Sequence, residues 1–206
     1  MKIQSEKDLE LISRKYRQSI YHPEAIKVNI GMASCGIAAG AQEAFDTAAE
    51  KYKDNQDIQI CQSGCMGFCE METLVEIFHD GKPRVMSKNI AEKKIVDAIE
   101  DYREGISQKK WILGQIRDPR SILEDDFENP QTKVTPFESA PFLEDIPFYK
   151  NQVKIALRNC GYIDPDAIEE YIAKKGYLAL VRALGTESPE KIIQIVKDSG
   201  LRGRGG

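Results

Sequence analysis

Three cysteines in one short loop place the strongest constraint on how this chain can fold. Cys61, Cys65 and Cys69 stand at intervals of four in the run CQSGCMGFC, and Gly64 and Gly67 lie between them. Such intervals would share one face of a helix, but the two glycines disfavour a helix and favour a tight loop. A loop that folds back can point several sulfur atoms at one centre, and glycines let backbone N–H groups approach those sulfurs closely.

The residues around this loop predict alternating strands and helices. The predicted elements are a strand at 26–30, an Ala-rich helix at 38–53, a strand at 58–60, a hairpin formed by 73–79 and 83–87, and a helix at 90–102. A strand, a helical crossover and a second strand favour a parallel pair, which the hairpin then extends antiparallel. We therefore predict an α/β unit with a thioredoxin-like plan, preceded by a helix at 6–16.

The character of the chain changes after residue 112. The stretch 113–148 contains five prolines and many carboxylates without sustained periodicity, so we predict an extended linker that packs along a surface through its phenylalanines. Residues 149–206 are predicted to be mainly helical, with helices starting near Asp164 and at Ser188, which has the features of an N-cap. The predicted division is thus 1–112, 113–148 and 149–206.

Composition excludes several classes of protein. The formal net charge of −4 and the lack of a long basic run give no reason to expect nucleic-acid binding. The N-terminus is charged throughout, and no stretch approaches the roughly 18 apolar residues of a membrane span. We expect a cytoplasmic protein without direct membrane insertion. In that reducing compartment, clustered cysteines are more often metal-binding or redox-active than disulfide-bonded.

The cysteine pattern leaves two metal centres open. Cys35 lies in the turn after the first predicted strand, where it can approach the loop of Cys61, Cys65 and Cys69. Four thiolates from two loops suit either a [2Fe–2S] cluster or a structural zinc, although the C-x2-C spacing common at zinc sites is absent. Cys160 stands alone, and we interpret it as a small buried apolar residue.

Two segments together resemble a known family. GMASCGIAAGA and CQSGCMGFCEMETLVEI are similar to the thioredoxin-like [2Fe–2S] ferredoxin domain of NADH-linked hydrogenases and respiratory complex I. The resemblance implies that Cys65 and Cys69 form the second ligand pair and that Cys35 is the second member of the first. Ile30 occupies the position of the remaining ligand. Cys61 is a candidate replacement; alternatively its side chain points into the core of the sheet.

The glycine-rich end of the chain carries a second resemblance. By composition alone, LRGRGG is either an anion site or a flexible end that touches RNA without specificity. The preceding PFYKNQVKIALRNCGYIDPDAIEEYIAKKGYLALVRAL is similar to the entry of the NADH-binding flavoprotein subunit of complex I and related hydrogenases. The resemblance implies that Gly203, Arg204, Gly205 and Gly206 open the loop that holds FMN and NAD(H).

Together these features predict part of a larger oxidoreductase. We expect an N-terminal fragment of an NADH dehydrogenase or NAD(P)-linked hydrogenase subunit, with NADH and other subunits as partners and a [4Fe–4S] cluster only in a missing C-terminal part. No acid–base or nucleophilic set is evident, so no catalytic residue is assigned. The alternative is a non-enzymatic thioredoxin-like docking module without a cluster.

The first prediction concerns activity. We expect the purified 206-residue chain to show no NADH–ferricyanide reductase activity, because a glycine loop alone lacks the sheet that carries FMN in the resembled family. Activity is measured by the absorbance of NADH with ferricyanide as acceptor. Turnover by this chain would contradict the expectation that it is a fragment.

Overall fold

A computed structural model describes residue 3 and residues 5–105, 111–124, 127–186 and 188–203. The strands are β1 (Ile26–Gly31), β2 (Ile58–Ser63), β3 (Val75–Phe78), β4 (Val85–Ser87) and β5 (Ile112–Gln115). The helices are α1 (Glu6–Tyr21), α2 (Ser34–Ala38), α3 (Ala41–Tyr52), α4 (Glu92–Arg103), α5 (Ile168–Ala173), α6 (Leu178–Thr186) and α7 (Pro189–Asp198). None of the helices in these ranges is both long and apolar enough to span a membrane.

The strands form one mixed sheet in the order β2-β1-β3-β4-β5. β1 and β2 are parallel, because the chain returns through α3 between them, and every other neighbouring pair is antiparallel. The β3–β4 hairpin therefore extends the parallel pair, and α4 follows it. The predicted α/β class and thioredoxin-like plan are confirmed.

The structure adds details that the sequence analysis did not predict. β2 runs to Ser63, three residues beyond the predicted strand, because it stays paired with β1 as far as Gly31. The predicted helix 38–53 begins at Ala41, and a short α2 precedes it. Gly40 separates the two helices with a φ of 96°, a conformation that few other residues adopt.

A fifth strand lies at the start of the predicted linker. β5 pairs with β4, and Gln115 forms a further parallel bridge with Phe142. Gly114 permits this approach, since a Cβ there would lie 2.9 Å from both the Pro141 carbonyl oxygen and the Leu143 side chain. The domain boundaries at 112/113 and 148/149 stay predictions.

One face of the sheet is apolar. The even-numbered β1 residues Val28 and Ile30 are fully buried against α3 and α4, which contribute Ala44, Ile95 and Ile99 to the same cluster. This is the expected covering of a βαβ unit, with the helices packed on a β-branched strand. The apolar face thus forms the principal core.

The opposite face of the sheet is buried but charged. Glu76 on β3 accepts two hydrogen bonds from Arg84, at 2.8 and 2.9 Å, and neither side chain contacts solvent appreciably. Asn29 on β1 donates to Glu76 and to the Gly161 carbonyl oxygen. Arg84 also donates to the Ile20 carbonyl oxygen at the end of α1. This network joins the sheet to the N-terminal helix and to the C-terminal third of the chain.

A second buried network fastens α1 to α5. Lys174, immediately after α5, donates to both the Glu124 carboxylate and the Tyr21 hydroxyl. Glu124 also accepts the backbone N–H and hydroxyl of Ser121, at 3.0 and 2.9 Å. Burial lowers the pKa of Lys174 to about 8, although Glu124 opposes the shift. Nearby, Lys27 of β1 pairs with Glu170 of α5.

Breaking the Glu76–Arg84 pair tests the importance of the charged face. We expect Arg84→Met to lower the free energy of unfolding by about 3–5 kcal/mol, because it leaves the Glu76 carboxylate buried without its partner. Urea denaturation followed by circular dichroism measures the change. The control is Arg103→Met, which removes an exposed ion pair with Glu100 and costs less than about 1 kcal/mol. Equal costs for the two variants would contradict the prediction.

Candidate metal centre

Two adjacent loops carry the cysteines at one edge of the sheet. Cys35 lies in α2, just after β1, whereas Cys65 and Cys69 lie in the segment that follows β2. β1 and β2 are parallel and end in register, with Gly31 opposite Ser63, so both loops leave the sheet at the same edge. The topology therefore accounts for the approach of cysteines that are about thirty residues apart in sequence.

Glycine lets α2 pack tightly on the end of β1. A Cβ at Gly36 would lie 2.1 Å from the Gly31 carbonyl oxygen, a distance that any larger residue would have to relieve by moving the helix. Glu72 lies at the same junction, where its carboxylate accepts the Leu74 N–H at 2.8 Å. Burial raises the pKa of Glu72 despite this hydrogen bond. The tight junction fixes the position of Cys35, the residue before Gly36.

Three cysteine thiols meet at the surface. Interaction with the neighbouring Cys35 thiol is the largest cause that raises the pKa of Cys69 to about 11, and burial and the Cys65 thiol add to it. Gly67, whose φ is 87°, donates its N–H to the Cys65 sulfur at 3.3 Å. Cys35 and Cys69 are exposed. The structure thus brings together three of the four cysteines predicted to bind metal.

The three neighbouring sulfurs do not have the geometry of a metal-binding site. Within the described ranges, no group of three or more His, Cys, Asp or Glu side chains is placed to hold a metal ion. Their chemistry nevertheless suits an iron–sulfur cluster, because thiolates are its usual ligands and backbone N–H donation to sulfur is a common means of tuning it. Three cysteines are thus suitable as ligands, but a [2Fe–2S] cluster needs a fourth protein ligand.

Cys61 lies on the charged face of the sheet. It occupies β2 opposite Asn29 and is only 4% exposed. Burial raises the pKa of Cys61 to about 11, while the charge of Lys27 opposes the shift and Glu170 adds to it. Its thiol therefore lies within range of the charges of Lys27 and Glu170. Its role as a ligand stays a prediction.

Position 30 offers no ligand atom. Ile30 is fully buried in the apolar core between the sheet and its helices. Because successive side chains of a strand point to opposite faces, Ile30 lies with Val28 and away from Asn29. The sequence departs from the pattern of the resembled family at Ile30, and in the structure this side chain fills a place in the apolar core.

Cys160 packs on the segment 64–69, here called the cysteine loop, and is half-buried, whereas we predicted a small buried apolar residue. Its sulfur lies 3.8 Å from the place that a Cβ at Gly64 would occupy. Burial, followed by the charge of Cys65, raises the pKa of Cys160, and Lys154 opposes this. The contact joins residues that are 96 positions apart, and no local pattern in LRNCG indicates it.

Aromatic side chains cover the other side of the loop. Phe68 stacks on Phe148 with ring centroids 4.1 Å apart, and Tyr149 contacts both rings edge-on. Burial, helped by the negative charge of Glu72 and Cys65, raises the pKa of Tyr149 to about 12. Met66 is almost fully buried in the same cluster. The cysteine loop is therefore covered by apolar and aromatic side chains on one side, whereas Cys69 is exposed on the other.

The predicted nucleotide loop is largely outside the described residues. Gly203 is exposed, and a Cβ there would meet no atom within 4 Å. Arg204, Gly205 and Gly206 lie outside the described ranges. Their binding of FMN and NAD(H) stays a prediction.

Segments of this chain are similar in sequence to subunits of a hydrogenase and of NADH-quinone oxidoreductases. No family model matches the chain. The NADP-reducing hydrogenase subunit HndC of Solidesulfovibrio fructosivorans is 54% identical over 57 residues, which cover 28% of this chain and 11% of that subunit. An NADH-quinone oxidoreductase subunit of Buchnera aphidicola (Schizaphis graminum) is 54% identical over 39 residues, 19% of this chain and 9% of that protein. The predicted resemblance is confirmed.

Two further similarities concern a smaller subunit and a solved structure. The HndB subunit of the Solidesulfovibrio hydrogenase is 30% identical over 77 residues, which cover 36% of this chain and 61% of that subunit. A thioredoxin-like [2Fe–2S] ferredoxin from Aquifex aeolicus has 18% identity and a TM-score of 0.39, over 45% of this chain and 93% of the ferredoxin. The chain spans about a tenth of the length of HndC and of the Buchnera protein.

The different exposure of the cysteines is measurable. In the metal-free chain we expect iodoacetamide to modify Cys61 at least about 10-fold more slowly than Cys35, because reaction at a buried thiol requires local opening of the sheet. Mass spectrometry with site localisation gives the two rates, and unfolding in urea should make them similar. Equal rates in the native chain would show that Cys61 reaches the surface with the other thiols.

Proposed function

We propose that this chain is the electron-transfer part of an NADH dehydrogenase or NAD(P)-linked hydrogenase subunit, with Cys35, Cys65 and Cys69 as ligands of a [2Fe–2S] cluster. The observation that carries the proposal is the convergence of these three thiols at one edge of the sheet. The 54% identity with segments of a hydrogenase subunit and of an NADH-quinone oxidoreductase subunit supports it.

The residues of the chain suit such a centre. When bound, a [2Fe–2S] cluster takes up and releases single electrons. Gly67 donates its N–H to the Cys65 sulfur, and hydrogen bonds of this kind to ligand sulfurs tune such clusters. Phe68 and Tyr149 exclude water on one side, while Cys35 and Cys69 stay exposed on the other, where a redox partner can approach.

The larger protein in this proposal is an oxidoreductase. Its remaining parts bind FMN and NAD(H), beginning with the loop at Gly203–Gly206, and hold a [4Fe–4S] cluster in a C-terminal continuation. Its partners are NADH and the other subunits of a hydrogenase or complex I-like assembly, and its location is the cytoplasm. The similarity to proteins described as subunits supports this arrangement.

A docking module without a cluster is the second candidate. The observation in its favour is Ile30, which occupies the expected first ligand position and is fully buried in the apolar core. In that case the three cysteines hold no metal, and the exposed edge serves only to bind a partner protein.

Iron content separates the two candidates. We expect anaerobically purified chain to be brown, to contain about two irons and two sulfides, and to give an EPR signal on reduction. Cys35→Ser should lose the iron because it removes a ligand. The matched control, Ser34→Ala, changes the adjacent residue and should keep it. A colourless, iron-free chain after reconstitution would support the docking module instead.

Two further variants test the fourth ligand. We propose Cys61, so Cys61→Ser should lose iron and the EPR signal while Cys160→Ser retains both. This result would require the Cys61 thiol to leave its position beside Lys27 when the cluster binds. The reverse result would assign the fourth ligand to Cys160, which already packs beside Gly64.

A further inference from the structure

A cavity of about 360 Å³ lies on the charged side of the sheet, next to the cysteine loop. It lies between the turns at 149–162, the segment 116–122 and the side chains of Glu76 and Met86 on the sheet, and it is open to solvent. Its volume falls in the lower part of the range of small-molecule sites in proteins.

The cavity carries uncompensated positive charge. Lys150, Lys154 and Arg158 line it, and in the described part of the chain none of them forms an ion pair with a carboxylate. Two acids in the wall are already neutralised, since Asp118 pairs with Arg120 and Glu76 with Arg84. Three cations therefore face one remaining carboxylate, that of Glu144.

Two buried polar atoms in the cavity wall lack partners among the described residues. They are the Arg158 Nε, a donor, and the Glu144 Oε2, an acceptor. The other Glu144 oxygen accepts the backbone N–H groups of Arg117 and Asp118, at 2.9 and 3.2 Å, which fixes the carboxylate. Arg158 is held by donation from Nη1 to the Ile155 carbonyl oxygen at 3.0 Å. Buried groups of this kind are normally satisfied by protein, water or a ligand, so both atoms are available to a ligand that offers an acceptor and a donor.

We propose that this cavity binds a small phosphate ester with free hydroxyl groups. The phosphate lies between Lys154 and Arg158, with Lys150 at the rim, and a hydroxyl of the ligand donates to Glu144 Oε2. A dianionic phosphate suits this set because a guanidinium and an ammonium supply charge-assisted donors to several of its oxygens. The site is distinct from the glycine loop at the chain end, and it does not depend on the proposed electron transfer.

The remaining walls fit the carbon skeleton of such a ligand. Ile116, Leu143 and Tyr162 line the cavity and provide apolar surface. The Lys154 ammonium lies 4.7 Å from the centre of the Tyr149 ring, which holds it at the edge of the cavity. Burial lowers the pKa of Lys154, so a bound phosphate compensates the lost hydration of this ammonium.

Calorimetric titration of the 206-residue chain tests the site with four probes: ribose 5-phosphate, AMP, inorganic phosphate and ribose. We expect at least one ester to bind and ribose not to bind. Lys154→Met and Arg158→Gln should each weaken ester binding roughly 10-fold or more, because each removes a charge-assisted hydrogen bond. Glu144→Gln should weaken the esters but not inorganic phosphate. Lys133→Met, in an exposed ion pair elsewhere, is the matched control and should change nothing.

Circular dichroism verifies that each variant is folded, and Lys150→Met at the exposed rim provides a milder change if another variant does not fold. Failure of both esters to bind at millimolar concentration would overturn the proposal, as would undiminished binding by the folded Lys154 and Arg158 variants. Binding of ribose equal to that of ribose 5-phosphate would also overturn it. These outcomes are independent of iron content, which reports on the cysteine centre alone.

Discussion

The Arg84 guanidinium and the Glu76 carboxylate form two hydrogen bonds in the interior, where neither group is accessible to water. A sheet usually buries a face against apolar side chains, but here one face is closed by this pair, by Asn29 and by Lys27 with its partner Glu170. Each buried polar group on this face needs a partner, because an unpaired buried charge costs several kcal/mol. The elements that cover the face must therefore supply those partners at fixed positions. The position of α1 and of the C-terminal turns follows from this requirement.

That arrangement also determines the surroundings of the cysteine loop. Asn29 donates to the Gly161 carbonyl oxygen and thereby holds the turn that carries Cys160 against Gly64. Phe148 and Tyr149, a few residues earlier, stack on Phe68 within the loop itself. The cysteine loop is consequently supported by residues far away in sequence, while its thiols stay accessible at the edge of the sheet.

Local pattern was sufficient to predict the elements around the first core. The β-branched run of β1, the Ala-rich stretch of α3 and the turn at Asp80–Lys82 each have a signal within a few residues. β5 has no such signal, because Gly114 pairs with Met86 of β4 and lies close to Pro141 and Leu143, all far away in sequence. The grouping of Cys35 with Cys65 and Cys69 followed from topology and resemblance. The face occupied by Cys61 and the place of Cys160 depend on strand register and long-range packing, which the local sequence does not contain.

The long separations in the charged networks have a consequence for synthesis on the ribosome. Lys27 contacts Glu170 across 143 positions, and Tyr21 contacts Lys174 across 153. The apolar face of the sheet can be covered once α4 has emerged, whereas the charged face must wait for α5. During translation, which proceeds at about 5–20 residues per second, a half-covered sheet therefore exists for several seconds. Its exposed side carries ionised groups in that interval, and these hold water and oppose association with other nascent chains.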